Sequence, residues 1–430
     1  MPGSWPVNWQ RVALMVAAVG FLFAAVVLRL SFFAFALYAL GAVSLVAYAM
    51  TWSGLDGLQT ERHTTARDAE IGEDVIVTVA VRNNKALPTI WLVAEDLVPR
   101  GLEAAGTWAR AVLLLPFGAT RLQYRLNCAR RGYFRIGPVL FETGDFFGLN
   151  RKFATGADAH FVTIYPRVVP LERYGIPTSR PMGETVVKRR LVEDPTRLAG
   201  VREYRTGDPL RRIHWKATAR TGVLHSRVYE YSTLIGANII LDFGRTSWED
   251  ARERVELAVT AAASIAAHLS DRKQLVGLVT NGGDASDIMP RETERLTAPT
   301  RQRIYQMLAD REQTDRLSPV RIPVRRGEHN LRLIMRSLAR LRLSDALSLG
   351  QLIEEEHEGW PREATALAIV PGVSRELFAR LVELRRSGFT VAVIVIDNES
   401  NYARVRAMLE AEGIRPLHVG SEVELGALSL

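Results

Sequence analysis

Cysteine is almost absent: Cys128 is the only one in 430 residues. A single thiol cannot close an intrachain disulfide, which suits a reducing compartment. Phosphate loops of the Gly-x-x-x-x-Gly-Lys type are missing, and so is a Gly-x-Ser-x-Gly nucleophile elbow. The eight histidines fall in no metal-spaced cluster. The usual signatures of a nucleotide hydrolase, a serine hydrolase and a zinc centre are therefore lacking, and the chain reads as a non-enzyme without a cofactor. Internal repeats and low-complexity tracts are lacking too. With 47% apolar and 24% charged residues, wholesale disorder is excluded. The length calls for two or three domains.

What is present in abundance is apolar sequence at the start. Residues 12–28 carry no charge, residues 30–52 carry none either, and Arg29 alone separates them. A helix rises about 1.5 Å per residue, so roughly 17–25 apolar residues cross a bilayer core. A cleaved signal peptide does not fit, because a second, longer apolar run follows after one residue. Residues 1–56 are thus expected to form a transmembrane helical hairpin that meets the bilayer through 12–28 and 30–52. Arg11 precedes the first run, and Arg62 and Arg67 follow the second. The positive-inside rule then places both ends in the cytoplasm, giving a multi-pass protein of the cell membrane with its bulk cytoplasmic. Trp5, Trp9 and Trp52 stand where interfacial aromatics collect.

Residues 57–175 read as a β-sandwich-like module. Val75, Val77, Val79 and Val81 alternate with Ile76, Thr78 and Ala80, the period-two pattern of a strand with two distinct faces. Further strands are expected at 89–95, 111–115, 120–127 and 132–136, with an aromatic turn over 143–149. From residue 236 the rhythm changes. Apolar runs at 237–242, 274–280, 365–370, 390–397 and 414–419 alternate with helical patterns at 248–269, 328–341, 347–358, 375–387 and 402–412. Alternation of this kind predicts a parallel sheet covered on both faces across 236–430. The stretch Asn281-Gly282-Gly283-Asp284 is expected to be a strand-end turn.

Between them, 176–235 is a linking segment. Residues 180–230 hold 12 Lys/Arg against 6 Asp/Glu, a basic block within a chain of net charge +8. Its densest part runs from Val201 to Gly222. Asp208 suits an N-cap, Pro209 the first helical position and Gly222 a left-handed end, so a helix of about a dozen residues is predicted. Leu210, Ile213 and Ala217 share its buried face, with Trp215 and Ile213 packing between domains. Arg211 lies one turn from Trp215, within reach of guanidinium–indole contact. Arg212, Lys216 and Arg220 form a cationic stripe and the candidate protein-docking surface. Alternation with packing residues and the membrane tether argue against nucleic acid.

Tyr204, Gly207-Asp208, Arg211, Ile213, Trp215-Lys216 and Ala219-Arg220 together resemble the signature of a bacterial family of unknown function, domain of unknown function 58. Arg131-Gly132-Tyr133, Gly137-Pro138, Gly144 to Leu149 and Tyr165-Pro166-Arg167 resemble landmarks of that family's upstream β-module. The chain departs from it in reading Asp145-Phe146-Phe147-Gly148 where Asp-Pro-Phe-Gly is usual. The resemblance implies two leading membrane helices, a doubly wound von Willebrand factor type A-like domain at the end, and a MoxR-type AAA+ ATPase as a partner.

Type A domains often bind a divalent cation through Asp-x-Ser-x-Ser. The matching stretch here is Asp242-Phe243-Gly244-Arg245-Thr246. Asp242 and Thr246 remain as oxygen ligands, Gly244 has none in its side chain, and Arg245 brings a positive charge. A second Asp is replaced by Val370-Pro371-Gly372. A hard cation needs about six oxygens, so the site reads as degenerate. The expected function is a membrane-anchored, non-enzymatic adaptor presenting this domain to protein partners. Two rivals are a metal-dependent ligand-binding module and an uncharacterised hydrolase built on the central motif.

Overall fold

The structure is a computed structural model. It describes residues 31–427 except 146–149, 157–158, 172–191, 205–212, 233–235, 249–251, 288–295, 311–317 and 363, together with Gly20 and Phe23. Two compact units emerge: Met1–Ala129 with Phe134–Val162 and Pro290–Gln313, and Arg130–Tyr133 with Thr163–Met289 and Thr314–Leu430.

The first unit begins with the helix Ser31–Ser53. Its segment Phe35–Ser53 is long and apolar enough to cross a membrane, and among the described residues it is the only such helix. The expected first span, 12–28, lies outside the described residues apart from Gly20 and Phe23. A multi-pass arrangement therefore has one described helix behind it, not two.

Below the helix stand two antiparallel sheets. One orders its strands Leu58–Thr64, Asp74–Asn83, Ala119–Asn127 and Glu103–Thr107. The other runs Thr297–Ala298, Arg151–Thr155, Val139–Gly144, Thr89–Asp96 and Ala109–Leu114. Alternation works as the sequence demands: Val75, Val77, Val79 and Val81 are all buried, opposite Leu122, Tyr124 and Leu126. The sheets are joined through a buried polar group. Asp96 accepts hydrogen bonds from Tyr124 Oη (2.7 Å) and from the Arg62 guanidinium, whose Nε lies at 3.3 Å. A Cβ on Gly137, at φ +82°, would sit 2.2 Å from that guanidinium, so the glycine admits the arginine. Such a buried pair is held only while both partners remain.

The sequence pattern places residues 290–313 within a continuous 236–430 domain, whereas they belong to the first unit. Thr297–Ala298 pairs with Phe153–Ala154, and Leu296, Ala298, Ile304 and Leu308 pack on Leu140 and Phe153. An excursion from the second unit completes the edge of the first.

The second unit carries the α/β sheet. Its order is Pro319–Arg325, Leu275–Asp284, Gly236–Leu241, Thr365–Val370, Val391–Val395 and Arg415–His418. The last five are parallel, and Pro319–Arg325 is an antiparallel edge. Central strands are buried on both faces, so they read as unbroken apolar runs. Ile239 and Leu241 face the helices Arg252–Asp271 and Glu328–Arg340. Ile240 faces the opposite layer, with Leu352, Leu381 and Leu409 of Leu349–Glu356, Arg375–Arg386 and Glu399–Ala411. The expected turn at Asn281–Asp284 is instead part of a ten-residue strand. Gly282 and Gly283 continue it because the strand Leu341–Arg342 closes against its end, and a Cβ on Gly282 would meet Phe243 Cβ at 2.8 Å.

Candidate functional site

In a doubly wound sheet a crevice opens where neighbouring strands send their helices to opposite faces, outside the carboxyl ends of the strands. Here that point lies between Gly236–Leu241, followed by Arg252–Asp271, and Thr365–Val370, followed by Arg375–Arg386. A cleft of about 500 Å³ occupies it. Asp242, Thr246, Asn281, Ser348 and Glu376 line it, with Pro371 and Gly372 on its other wall.

Asp242 is buried, and its backbone and one carboxylate oxygen are tied into the fold. Its Oδ1 accepts from Gly244 N (3.0 Å) and from Asn281 Nδ2 (3.1 Å). Its backbone N–H donates to Ile369 O (3.0 Å), and its carbonyl accepts from Trp248 Nε1 (2.9 Å). Asn281 is the keystone. Besides Asp242 it bonds Leu347 O at 3.2 Å, and its Oδ1 accepts from Phe243 N at 2.6 Å. Two N–H donors occupy one carboxylate oxygen, which has two lone-pair positions. Gly244 fits this lock closely, since a Cβ there would lie 3.1 Å from Asn281 Nδ2. Arg245 turns along the rim to Asp345 at 3.2 Å, with both side chains largely exposed.

Two helix starts face the cleft. Ser348 caps Leu349–Glu356 in a capping box with Gln351, and Ser374 caps Arg375–Arg386 through Leu377 N at 3.2 Å. Glu376, in the first turn of the second helix, accepts from Ser348 Oγ at 2.8 Å. A carboxylate is favoured there by the helix dipole. A Cβ on Gly350 would stand 2.9 Å from Glu376 Oε1, so the glycine permits this approach. Behind the cleft, buried Arg131 lies over the Phe243 ring, 5.6 Å from its centroid. It donates to Leu338 O (2.7 Å) and Leu341 O (3.3 Å), and to both oxygens of Glu256 (2.8 and 3.2 Å).

Asp242 and Thr246 are thus brought together in the cleft, but the signature motif is not among its lining residues. Tyr204 is half-buried and donates its N–H to Leu224 O at 2.8 Å. Gly207, Asp208, Arg211 and Arg212 lie outside the described residues. The described helix covers only Trp215–Thr221, between the paired strands Val192–Glu203 and His225–Ser232. His214 caps it by accepting Ala217 N at Nδ1, and Gly222 ends it at φ 74°. Ile213 is buried, but Trp215 is 67% exposed, which corrects its expected packing between domains. Ile213 is held by a bridge to Ser226, and the helix that starts two residues later turns the indole outward. Lys216, Ala219 and Arg220 are exposed.

Asn281, Ser348 and Glu376 escaped the sequence reading as site residues. Ser348 and Gln351 have the spacing of a capping box, a signal the expected helix over 347–358 did not use, and nothing local pairs Ser348 with Glu376. Cys128 is buried, and that burial pushes its thiol up, away from the reactive thiolate.

Residues 200–316 match the family model described as protein of unknown function DUF58. That stretch is what resembles the family. It contains the Tyr204–Arg220 motif and, from the cleft, Asp242, Thr246 and Asn281. The uncharacterized protein YeaD of Bacillus subtilis is 28% identical over 243 residues, covering 54% of this chain and 57% of that protein. The chain therefore spans little more than half the length of this curated relative. Among solved structures, a von Willebrand factor type A protein from Catenulispora acidiphila is similar over 47% of this chain and 42% of its own, at 13% identity and a TM-score of 0.26. The CARDB domain of the PF1109 protein from Pyrococcus furiosus, crystallised in complex with di-metal ions, is similar over 25% of this chain and 86% of its own. Its identity is 13% and its TM-score 0.19. Scores this low leave the fold to be argued from sheet order alone.

Proposed function

We propose that this chain is a membrane-anchored, non-enzymatic adaptor. The apolar helix Ser31–Ser53 holds it in the cell membrane with its body in the cytoplasm. Its second unit, a degenerate von Willebrand factor type A-like domain, offers the carboxyl-edge cleft to protein partners, a MoxR-type AAA+ ATPase among them. The lock on Asp242 carries this reading: Gly244 and Asn281 both donate to its Oδ1. That carboxylate serves the fold, so a partner docks on the loops themselves without a bridging cation. Lys216 and Arg220, exposed four residues apart on one short helix, provide a second contact for an acidic partner surface, with Arg212 just before them.

Gly372 offers the test, because a Cβ there meets nothing within 4 Å. A photo-crosslinking residue at Gly372, in the full chain in native membranes, is expected to trap a partner that includes an AAA+ ATPase. Yield no higher than from the same residue at Ile71 would overturn the docking reading. One rival has an observation in its favour. Asp242, Thr246, Ser348 and Glu376 line one cleft, an oxygen-rich set that a metal-dependent ligand-binding module would use. Thermal stability measured against magnesium separates the two.

A further inference from the structure

The helix Ser31–Ser53 ends on a built platform. Lys152 Nζ donates to Trp52 O at 3.0 Å. Lys85 Nζ donates to Gly54 O at 2.9 Å and to Ser53 O. Two ammonium groups thus answer the carbonyls that a helix C-terminus leaves open, where the dipole favours cations. The loop bearing Lys85 is fixed here by two further bonds, Asn84 N to Gly57 O at 2.9 Å and Thr89 Oγ1 to Gly54 O at 3.2 Å.

Fully buried Asn83 joins a second loop to this one. Its Nδ2 donates to Leu87 O at 2.9 Å and to Leu115 O at 3.1 Å, and its backbone N–H donates to Gly118 O at 2.9 Å. The turn Leu115-Pro116-Phe117-Gly118 is closed by Gly118 N to Leu115 O at 3.0 Å. Phe117 takes φ +57°, at the position of a proline-led turn that glycine ordinarily fills. A bulky side chain in the left-handed region is a genuine outlier, and such outliers cluster where the side chain is used. Among the described residues the side chain stands open: Phe117 is 69% exposed, with Leu115 at 60%, Leu87 at 59% and Trp52 at 65%. Four large apolar side chains therefore face solvent on the two loops and the final helical turn that meet at the end of an apolar helix.

We propose that Leu87, Leu115 and Phe117 form an apolar collar that inserts into the boundary between headgroups and acyl chains of the bilayer. Lys85 and Lys152 lie at headgroup level and Trp52 acts as the interfacial aromatic. The bilayer is the occupant because the collar's loops are hydrogen-bonded, directly or through Asn83, to the end of a helix long enough to cross a membrane. Apolar side chains beside lysines are what an anionic lipid interface takes up. The collar holds the first unit against the membrane surface instead of leaving it to swing on a tether. It rests on the reading of Ser31–Ser53 as a membrane anchor.

The test uses the full chain with Cys128→Ala, reconstituted in phosphatidylcholine vesicles containing phosphatidylglycerol. Single cysteines replace Phe117, Leu87, Tyr38 or Ile71, and each carries an environment-sensitive fluorophore. Tyr38 is an exposed residue of the helix. Ile71 is an exposed apolar residue beyond the opposite end of the strand Asp74–Asn83, roughly 30 Å away at about 3.4 Å per residue. The Phe117→Cys and Leu87→Cys labels are expected to shift to the blue and to be quenched by phospholipid spin-labelled near the headgroup. The Ile71→Cys label should do neither. Quenching at Tyr38 with Phe117 behaving like Ile71 would overturn the collar and leave the anchor standing. A Tyr38→Cys label untouched by spin labels deep in the acyl region would overturn the anchor, and the collar with it.

Discussion

Asn281→Ala removes a side chain that is almost fully buried and makes three hydrogen bonds, to Asp242 Oδ1, Leu347 O and Phe243 N. Each such bond contributes about 1 kcal/mol net, and a buried group left unsatisfied costs roughly 1–3 kcal/mol. Three bonds beside a cleft that admits water therefore come to about 3–5 kcal/mol. For a unit of this size each kcal/mol moves the melting temperature by roughly 2–4 °C, so the variant should melt about 10 °C below the parent in detergent. Asn281→Asp keeps the acceptor for Phe243 N but sets a second carboxylate where the amide donated to Asp242. Two adjacent carboxylates raise the pKa of one of them. The folded state of that variant then binds more protons than the unfolded state, so its stability falls as pH rises through the raised value and returns on acidification. Magnesium or calcium should restore it at neutral pH, while the parent, with Asp242 Oδ1 held by two N–H donors, should not respond. Differential scanning fluorimetry across a millimolar cation series reads all of this. A saturable rise in the parent's melting temperature, lost in Asp242→Ala, would refute the reasoning: Asp242 would then be a ligand and the cleft a working cation site.

Asp96→Ala should destabilise the first unit by about 3–5 kcal/mol, because it leaves the Arg62 guanidinium buried without its counter-charge; urea denaturation of the full chain measures it. Ile213→Ala is expected to cost roughly 2–4 kcal/mol as a buried large-to-small change. Trp215→Ala, at an exposed position, should move stability by about 0.5 kcal/mol or less, so equal melting curves for the two would contradict the structure. Burial, reinforced by Arg272 and partly opposed by Asp271, holds the His268 imidazole below its ordinary value. The unfolded chain takes up a proton near pH ~6.5 while the folded one does not. Stability should therefore be lost as pH falls through that region, and His268→Gln should remove this share of the pH dependence in melting curves recorded from pH about 7.5 to about 5.5.

Much of the architecture was legible in local pattern. The alternating valines of residues 75–81 announce a two-faced strand, and one with every second residue buried is found there. The unbroken apolar runs at Gly236–Leu241, Thr365–Val370 and Val391–Val395 announce a sheet covered on both sides. The run that becomes Ser31–Ser53 declares itself by length and lack of charge. These features follow from periods of two and 3.6 residues and from runs of apolar residues, all carried by adjacent sequence.

Choice of partner across the sheet is a different matter, since only strand order decides which loops meet. Asn281 reaches Asp242 across 39 positions because their strands are neighbours. Glu376 meets Ser348 because two helices start side by side on one edge. Residues 297–298 leave the second unit to pair with Phe153 and Ala154, a register that hydrophobic pattern alone does not specify. Trp215 looked like core by its chemistry, yet a short helix set by the neighbouring strand pair turns it outward. Elements and the faces they bury follow from local pattern. Which strand ends lie side by side depends on the assembled sheet, and that is what sets the Asn281 amide against Asp242.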